Sequence, residues 1–260
     1  MEINNVYSIY FSPSGTTKKI VKRISSFFRK EKVSYHSLLS QRKVNQTLSP
    51  NELLIIGLPV FSGRIPSLCK ELLKELHGMN TPAIVIVSYG NRDYEDALIE
   101  LKNTLETQGF NIIGAAAFIA QHSIFTDVAK GRPDKKDIEI IDSFSKKCFK
   151  YLDFYPNNYK TLDIKGNIPY RKISKMPITP STNKNCNYCG ICSEMCPVHA
   201  IDMNNPKNTN KQLCISCTAC ISVCPQHARK FSGLLYHFAA KKFSKKYKQR
   251  KEPEVFIQDK

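Results

Sequence analysis

VYSIYFSPSGTTKKI, residues 6–20, is the stretch on which the fold turns. VYSIYF is a short apolar run of strand-forming residues. From Thr16, the residues Ile20, Ile24, Phe27 and Phe28 recur at helical spacing. Between strand and helix lies a polar turn, Ser12-Pro13-Ser14-Gly15. Backbone N–H groups at a helix N-terminus attract a phosphate. The hydroxyls of Ser12, Ser14, Thr16 and Thr17 add donors, and Gly15 permits a close approach or a positive φ. The same residues also suit a plain N-capped helix behind a polar turn.

The pattern repeats downstream. VSYHSLL (33–39), ELLIIGLPV (52–60), AIVIVSY (83–89) and IIGAAAFI (112–119) read as further strands. Pro66 opens a helix with Leu68, Leu72 and Leu76 on one face, ended by Gly78. Glu95–Leu105 is helical up to Gly109, and Ile138, Ile141, Phe144, Cys148 and Leu152 mark a last helix. Strands alternating with helices predict an α/β domain over 1–152, with a five-stranded parallel sheet covered on both faces. In strand order 2-1-3-4-5, ligands bind outside the carboxyl ends of the strands, where the order reverses. The 12–17 loop and the loop of GLPVFSGRIPS (57–67) meet there, with SYGNRDYEDAL (88–98) beside them.

Residues 153–185 carry Pro156, Pro169, Pro177 and Pro180 and read as an extended linker. Residues 186–230 form a cysteine-rich unit. Cys186, Cys189, Cys192 and Cys196 have the spacing C-x2-C-x2-C-x3-C-P, and Cys214, Cys217, Cys220 and Cys224 repeat it 28 residues on. Pro-x-His-Ala follows both, so the segment is an internal duplication. Three thiolates from one loop face one cubane, and the fourth cysteine ligates the other cluster. Cys186, Cys189, Cys192 and Cys224 are thus assigned to one [4Fe-4S] cluster, and Cys214, Cys217, Cys220 and Cys196 to the second. Structural zinc uses paired C-x2-C without the third cysteine. His199 and His227 are read as structural, and Cys69 and Cys148 as small buried hydrophobes.

These 45 or so residues resemble bacterial-type ferredoxins with two clusters, which implies one-electron transfer. The first 150 or so, a length typical of one domain, resemble flavodoxins, in which Ser12, Ser14, Gly15, Thr16 and Thr17 match the phosphate loop. That resemblance implies non-covalent FMN. It implies ring contacts from Pro59, Val60, Phe61 and Gly63 in one loop, and from Ser88, Tyr89, Gly90, Asn91 and Tyr94 in the other. Phe61 or Tyr89 would stack on the ring, and Arg64 or Arg92 would favour its anionic reduced form. The chain departs from that family in being basic and in having no tryptophan. Domain order resembles the flavodoxin–ferredoxin fusion proteins of anaerobic bacteria.

The formal net charge is +17, and residues 241–251, KKFSKKYKQRK, hold seven cations in eleven. Residues 231–260 read as a basic tail, expected to dock an acidic redox partner or touch an anionic membrane surface. Phe243 and Tyr247, four apart, are expected on one helical face against the ferredoxin unit. No apolar run reaches the length of a transmembrane helix. Ten cysteines without a basic, apolar leader point to a reducing cytoplasm. The leading functional expectation is an electron relay between FMN, two clusters and an external redox protein. A flavin-dependent reductase of a small molecule or quinone is the first rival. A flavin-free redox-sensing module that docks nucleic acid is the second; no nucleic-acid partner is expected under the leading reading.

Overall fold

The computed structural model describes residues 2–28, 32–155 and 159–258. Pro156, counted above among the linker prolines, lies outside the described residues. In chain order the first unit holds β1 (Asn5–Tyr10), α1 (Thr16–Ser25), β2 (Lys32–Ser37), β3 (Asn45–Leu48), β4 (Glu52–Pro59), α2 (Ser67–Leu72), β5 (Glu75–Gly78), β6 (Thr81–Tyr89), α3 (Ala97–Thr107), β7 (Phe110–Ile119) and α4 (Lys135–Tyr151). Then come β8 (Ser181–Thr182), α5 (Ile191–Glu194), α6 (Ala219–Ser222), β9 (Arg229–Lys230), α7 (Leu234–Lys246) and β10 (Glu254–Ile257).

The main sheet runs β10-β7-β6-β4-β1-β2. Its five strands from the first unit are parallel and stand in the expected 2-1-3-4-5 order, with Val6 opposite both Val33 and Leu53. Every residue of β6 is buried, as a central parallel strand flanked by helices requires. One face carries Ile56, Val85, Leu98, Leu101 and Leu105, and the other carries Val6, Ile24, Ile55, Ile141 and Phe144. Each such side chain contributes about 1.5–3 kcal/mol by leaving water.

Three expectations are corrected. The sheet has a sixth strand: β10 pairs antiparallel with β7, Val255 opposite Ala116. The outer edge of β7 would otherwise present unpaired backbone groups, and the EVFI segment covers it. Residues 231–258, read from sequence as a basic tail, therefore hold a helix and a strand. Second, Phe243 and Tyr247 pack with Ile124, Phe125 and Val128 of the α/β unit as well as with Phe231, so α7 is held chiefly by the first unit. Third, the helix opened by Pro66 stops at Leu72, and Glu75–Gly78 is a strand paired parallel with the polar segment Asn45–Leu48. Leu73 and Leu76 are both buried, a spacing that suits either a helix or the turn into a strand.

The linker lies against the α/β unit. The backbone N–H groups of Asn167 and Arg171 donate to the Asp96 carboxylate at 2.8 and 2.7 Å, and Ile164 is buried. Arg64 makes a two-pronged pair with Glu100 at 2.7 and 2.6 Å and donates to Arg171 O at 2.5 Å. Arg92 pairs with Glu95. Both arginines expected near a flavin are thus engaged by carboxylates of this unit.

Candidate functional site

The two cysteine loops fold as copies. Gly190 and Thr218, both left-handed, start the short helices α5 and α6 and set Cys192 and Cys220 at their beginnings. Tyr188 and Ser216, and again His199 and His227, take positive φ at matching places. The amides of Ala200 and Ala228 donate to Cys196 Sγ at 3.2 Å and Cys224 Sγ at 3.3 Å, and Ser216 N donates to Cys214 Sγ at 3.4 Å. Such N–H···S bonds offset sulfur charge and tune a bound cluster.

Two cavities sort the eight cysteines. Cys186, Cys189, Cys192 and Cys224 line one, with Ile191, Pro206 and Arg229. Cys196, Cys214, Cys217 and Cys220 line the other, with Pro180, Val198, Ile201 and Ala219. Each cavity takes its fourth cysteine from the opposite repeat, as the sequence assignment requires. Among the described residues, no group of three or more His, Cys, Asp or Glu side chains is set to hold a single metal ion. Burial pushes the Cys217 thiol up to about 12, opposed by the Ala219 N–H and reinforced by Cys220, Cys196 and Cys214. Burial likewise lifts Cys220 to about 11. Thiolates crowded in an apolar pocket require the positive charge of iron, so the donor set fits two clusters. His199 Nε2 meets Arg42 and lines neither cysteine cavity.

The second cavity adjoins the α/β unit. Met195 and Cys217 pack against that unit's core, and Ala219 is fully buried within it. Arg42, just beyond β2, donates to the carbonyls of Glu194 and Cys196, each at 3.2 Å. We call this site proximal and the other distal. At the distal site Cys189 is exposed, and Tyr188 is 53% exposed.

On the α/β unit, α1 begins at Gly15 with φ 86° and no side-chain cap. A Cβ at Gly15 would meet nothing within 4 Å, so conformation rather than crowding demands glycine there. Ser12 Oγ accepts from Lys18 N at 2.9 Å, and its carbonyl accepts from Gly15 N at 3.2 Å. Ser14 is exposed and Thr16 half-buried. Thr17 and Ser88 share a buried hydroxyl–hydroxyl hydrogen bond of 2.7 Å, tying the first loop to the end of β6. The first turn of α1 carries no acid, so its free N–H groups present an uncompensated positive end.

The loops expected to hold a ring divide. Val60 and Phe61, beyond the half-buried Pro59, line a cavity of about 350 Å³. Phe61 meets Phe11 edge-on at 6.4 Å. Gly63 is buried against Glu95 and Arg171 instead. Tyr89 and Tyr94 are buried edge to face at 5.5 Å, and Tyr94 donates to Glu254 at 2.8 Å. Asn91 donates to the carbonyls of Tyr247 and Gln249 at 2.9 and 2.7 Å and accepts from Lys251 N at 3.1 Å. A Cβ on Gly90 would sit 2.6 Å from His122. Gly63, Tyr89, Gly90, Asn91 and Tyr94 are therefore taken up by the C-terminal segment and the neighbouring loops, and they do not line the 350 Å³ cavity.

That cavity has walls not foreseen from sequence. Beyond Val60–Ser62 and Ile65–Leu68 its walls are His122–Ile124 after β7, Ile173–Met176 of the linker, and Gln212, Leu213, Ile215 and Ser216 around Cys214. Ser216 Oγ donates to Ile178 O at 2.5 Å, binding linker to cysteine loop. His122 Nδ1 accepts from Ile124 N and Phe125 N at 3.2 and 3.1 Å, so the ring is held neutral. Burial, helped by Arg92, lowers its pKa to about 4. The one sequence signal for this wall was the AQHSIF run directly after a buried strand, at a carboxyl end where ligands bind.

Comparison with known proteins assigns the C-terminal unit. Residues 185–229 match the family described as 4Fe-4S dicluster domain. Solved structures similar to part of this chain include the rubredoxin oxygen:oxidoreductase from the anaerobe Desulfovibrio gigas, at 16% identity and TM-score 0.45, over 59% of this chain and 37% of that one. A flavodoxin from the domain Archaea gives 15% identity and TM-score 0.42, over 57% and 99%. A Fusobacterium nucleatum flavodoxin bound to flavin mononucleotide gives 12% identity and TM-score 0.43, over 57% and 98%. This chain thus spans 37% of the Desulfovibrio protein's length. No curated protein matches the sequence. The chain joins a flavodoxin-like α/β unit, recognised by its strand order, to a two-cluster ferredoxin-type unit.

Proposed function

We propose that this protein relays electrons between FMN in the α/β unit, the two clusters, and an external redox protein. One observation carries the reading: the 350 Å³ cavity is walled by Val60 and Phe61 on one side and by Leu213, Ile215 and Ser216 around the proximal Cys214 on the other. A flavin exchanges electrons in pairs or singly and each cluster singly. The chain's own residues supply the rest. The amide end of α1 with Ser12, Ser14, Gly15 and Thr16 binds the phosphate. Phe61, Val60 and Ile65 cover a ring and exclude water. The proximal site is the inner station, and the distal site, with exposed Cys189 and Tyr188, is the port for the partner.

The test is anaerobic purification followed by assay of iron, acid-labile sulfide and released flavin. About eight irons and one FMN per chain are expected. Gly15→Asp, which puts a carboxylate at the phosphate position, should abolish FMN retention and leave the iron unchanged. Iron without flavin, even after FMN is added, rejects the relay.

A second reading has its own observation. Linker residues Ile173–Met176 roof the cavity, as a flavin-dependent reductase needs for a small acceptor. Turnover of quinones by the chemically reduced protein, faster than their uncatalysed reduction, would favour it.

A further inference from the structure

The helix α7 has two faces with opposite fates. Tyr236, Ala239, Ala240, Phe243 and Tyr247 point inward and pack on Phe125, Phe231 and their neighbours. Phe125 lies 4.6 Å from Phe243 and 6.0 Å from Tyr236, and Tyr236 Oη donates to Ile124 O at 2.9 Å. The helix is thus pinned, and its outer face cannot turn in. That face opens with Leu234, Leu235 and Phe238, which are 90%, 84% and 71% exposed. At i+7, i+8 and i+11 from Leu234 the same face continues as Lys241, Lys242 and Lys245, with Lys246 and Lys248 beside it, all exposed. Among the described residues, none of these five lysines is paired with a carboxylate, whereas Arg250 and Lys251 further on are paired with Asp134 and Asp93.

We propose that the outer face of α7 docks this protein on an anionic lipid surface. Three bulky apolar side chains held in water at the start of a pinned helix are the element that enters the acyl boundary of a bilayer. The lysines that follow on the same face meet acidic headgroups. An acidic protein would satisfy the lysines and leave the Leu-Leu-Phe turn in water. A bilayer satisfies both halves of one stripe, and that complementarity selects the partner. The proposal is independent of what the 350 Å³ cavity binds.

The holoprotein is sedimented with vesicles of phosphatidylcholine alone and with vesicles that also contain phosphatidylglycerol. Binding is expected only to the second kind, weakening as salt rises. Each Lys→Gln change among Lys241, Lys242, Lys245 and Lys246 should lower the partition coefficient about five-fold. The triple variant Leu234→Ser, Leu235→Ser, Phe238→Ser should lower it at least about ten-fold while keeping the salt dependence. Because these three side chains are exposed, iron content and the unfolding midpoint should stay as in the wild type, which separates lost docking from lost folding. Equal binding to both vesicle types, no binding, or full binding by the triple variant each overturns the proposal. So does a concentration-dependent dimer that the triple variant dissolves, since the face would then belong to a second copy.

Discussion

The proximal and distal cysteine sites start from the same cysteine spacing and end in different surroundings. Both use the same spacing, left-handed backbone at the same positions and the same backbone donor to the fourth cysteine. Yet Cys196 and Cys220 are buried and Cys217 packs into the α/β core, while Cys189 stands in solvent. Local sequence sets the ligand geometry, and tertiary packing sets the dielectric. An added electron is harder to hold where water is excluded, so burial separates the potentials of two chemically equal sites. Arg42, beside the Cys196 carbonyl, acts against that trend at the proximal site.

The largest effect should separate the two sites directly. Cys217→Ala and Cys189→Ala should each reduce iron from about eight to about four per chain. Cys217→Ala should lower the anaerobic unfolding midpoint by several degrees more than Cys189→Ala, because besides losing a cluster it removes a side chain packed against the α/β core. Equal thermal losses would break the comparison.

Asn91→Ala comes next. It leaves the carbonyls of Tyr247 and Gln249 without their donor and should cost about 2 kcal/mol. Hydrogen exchange at 247–257 should quicken while the amides around both cysteine sites keep their protection. Faster exchange at the proximal loop would mean that the C-terminal segment, and not only the α/β core, shields it.

His122 yields a pH signature on the proximal side alone. Its folded-state pKa, about 4, lies below the ordinary value of 6.5, so folding favours the neutral ring. The associated stability is full above pH 6.5 and is lost as pH falls toward 4, at most about 1.4 kcal/mol per pH unit. The wild-type midpoint should therefore fall between pH 7.5 and 5.5 by more than that of His122→Gln. Parallel curves for the two proteins would remove His122 from the account.

Arg42→Ala should have the smallest effect, about 1 kcal/mol, since its bonds are partly exposed. It should make the proximal site harder to reduce and leave the distal one unchanged in an anaerobic redox titration. An equal shift at both sites would show that the arginine acts through the overall field.

Much of this was legible in the sequence, for identifiable reasons. The β4, β6 and β7 segments are apolar throughout because both faces are covered, so ELLIIGLPV, AIVIVSY and IIGAAAFI announce a parallel sheet. The eight ligands announce themselves through a repeated spacing that only a cubane needs. Glu254–Ile257 was not legible: four residues after a lysine run carry no periodicity, and only the open edge of β7 makes them a strand. Asn91 and Tyr94 were misdirected for a related reason. They are aromatic and amide groups in a ligand-bearing loop, and nothing local shows that chain more than 150 residues away satisfies them. The cavity wall from Gln212 to Ser216 depends on how two units meet, which no spacing within either unit encodes.

The central claim is that the proximal site connects the cavity proposed for the flavin to the outside. The direct measurement is the rate of flavin bleaching in the holoprotein, driven anaerobically by a reduced one-electron carrier protein too large to enter the cavity. Wild type and Cys217→Ala would be compared, each with its flavin and iron contents verified first. The account predicts at least a hundred-fold slower bleaching in Cys217→Ala, about 2.7 kcal/mol in the barrier. An unchanged rate in that variant would contradict it, because electrons would then reach the flavin without the proximal site.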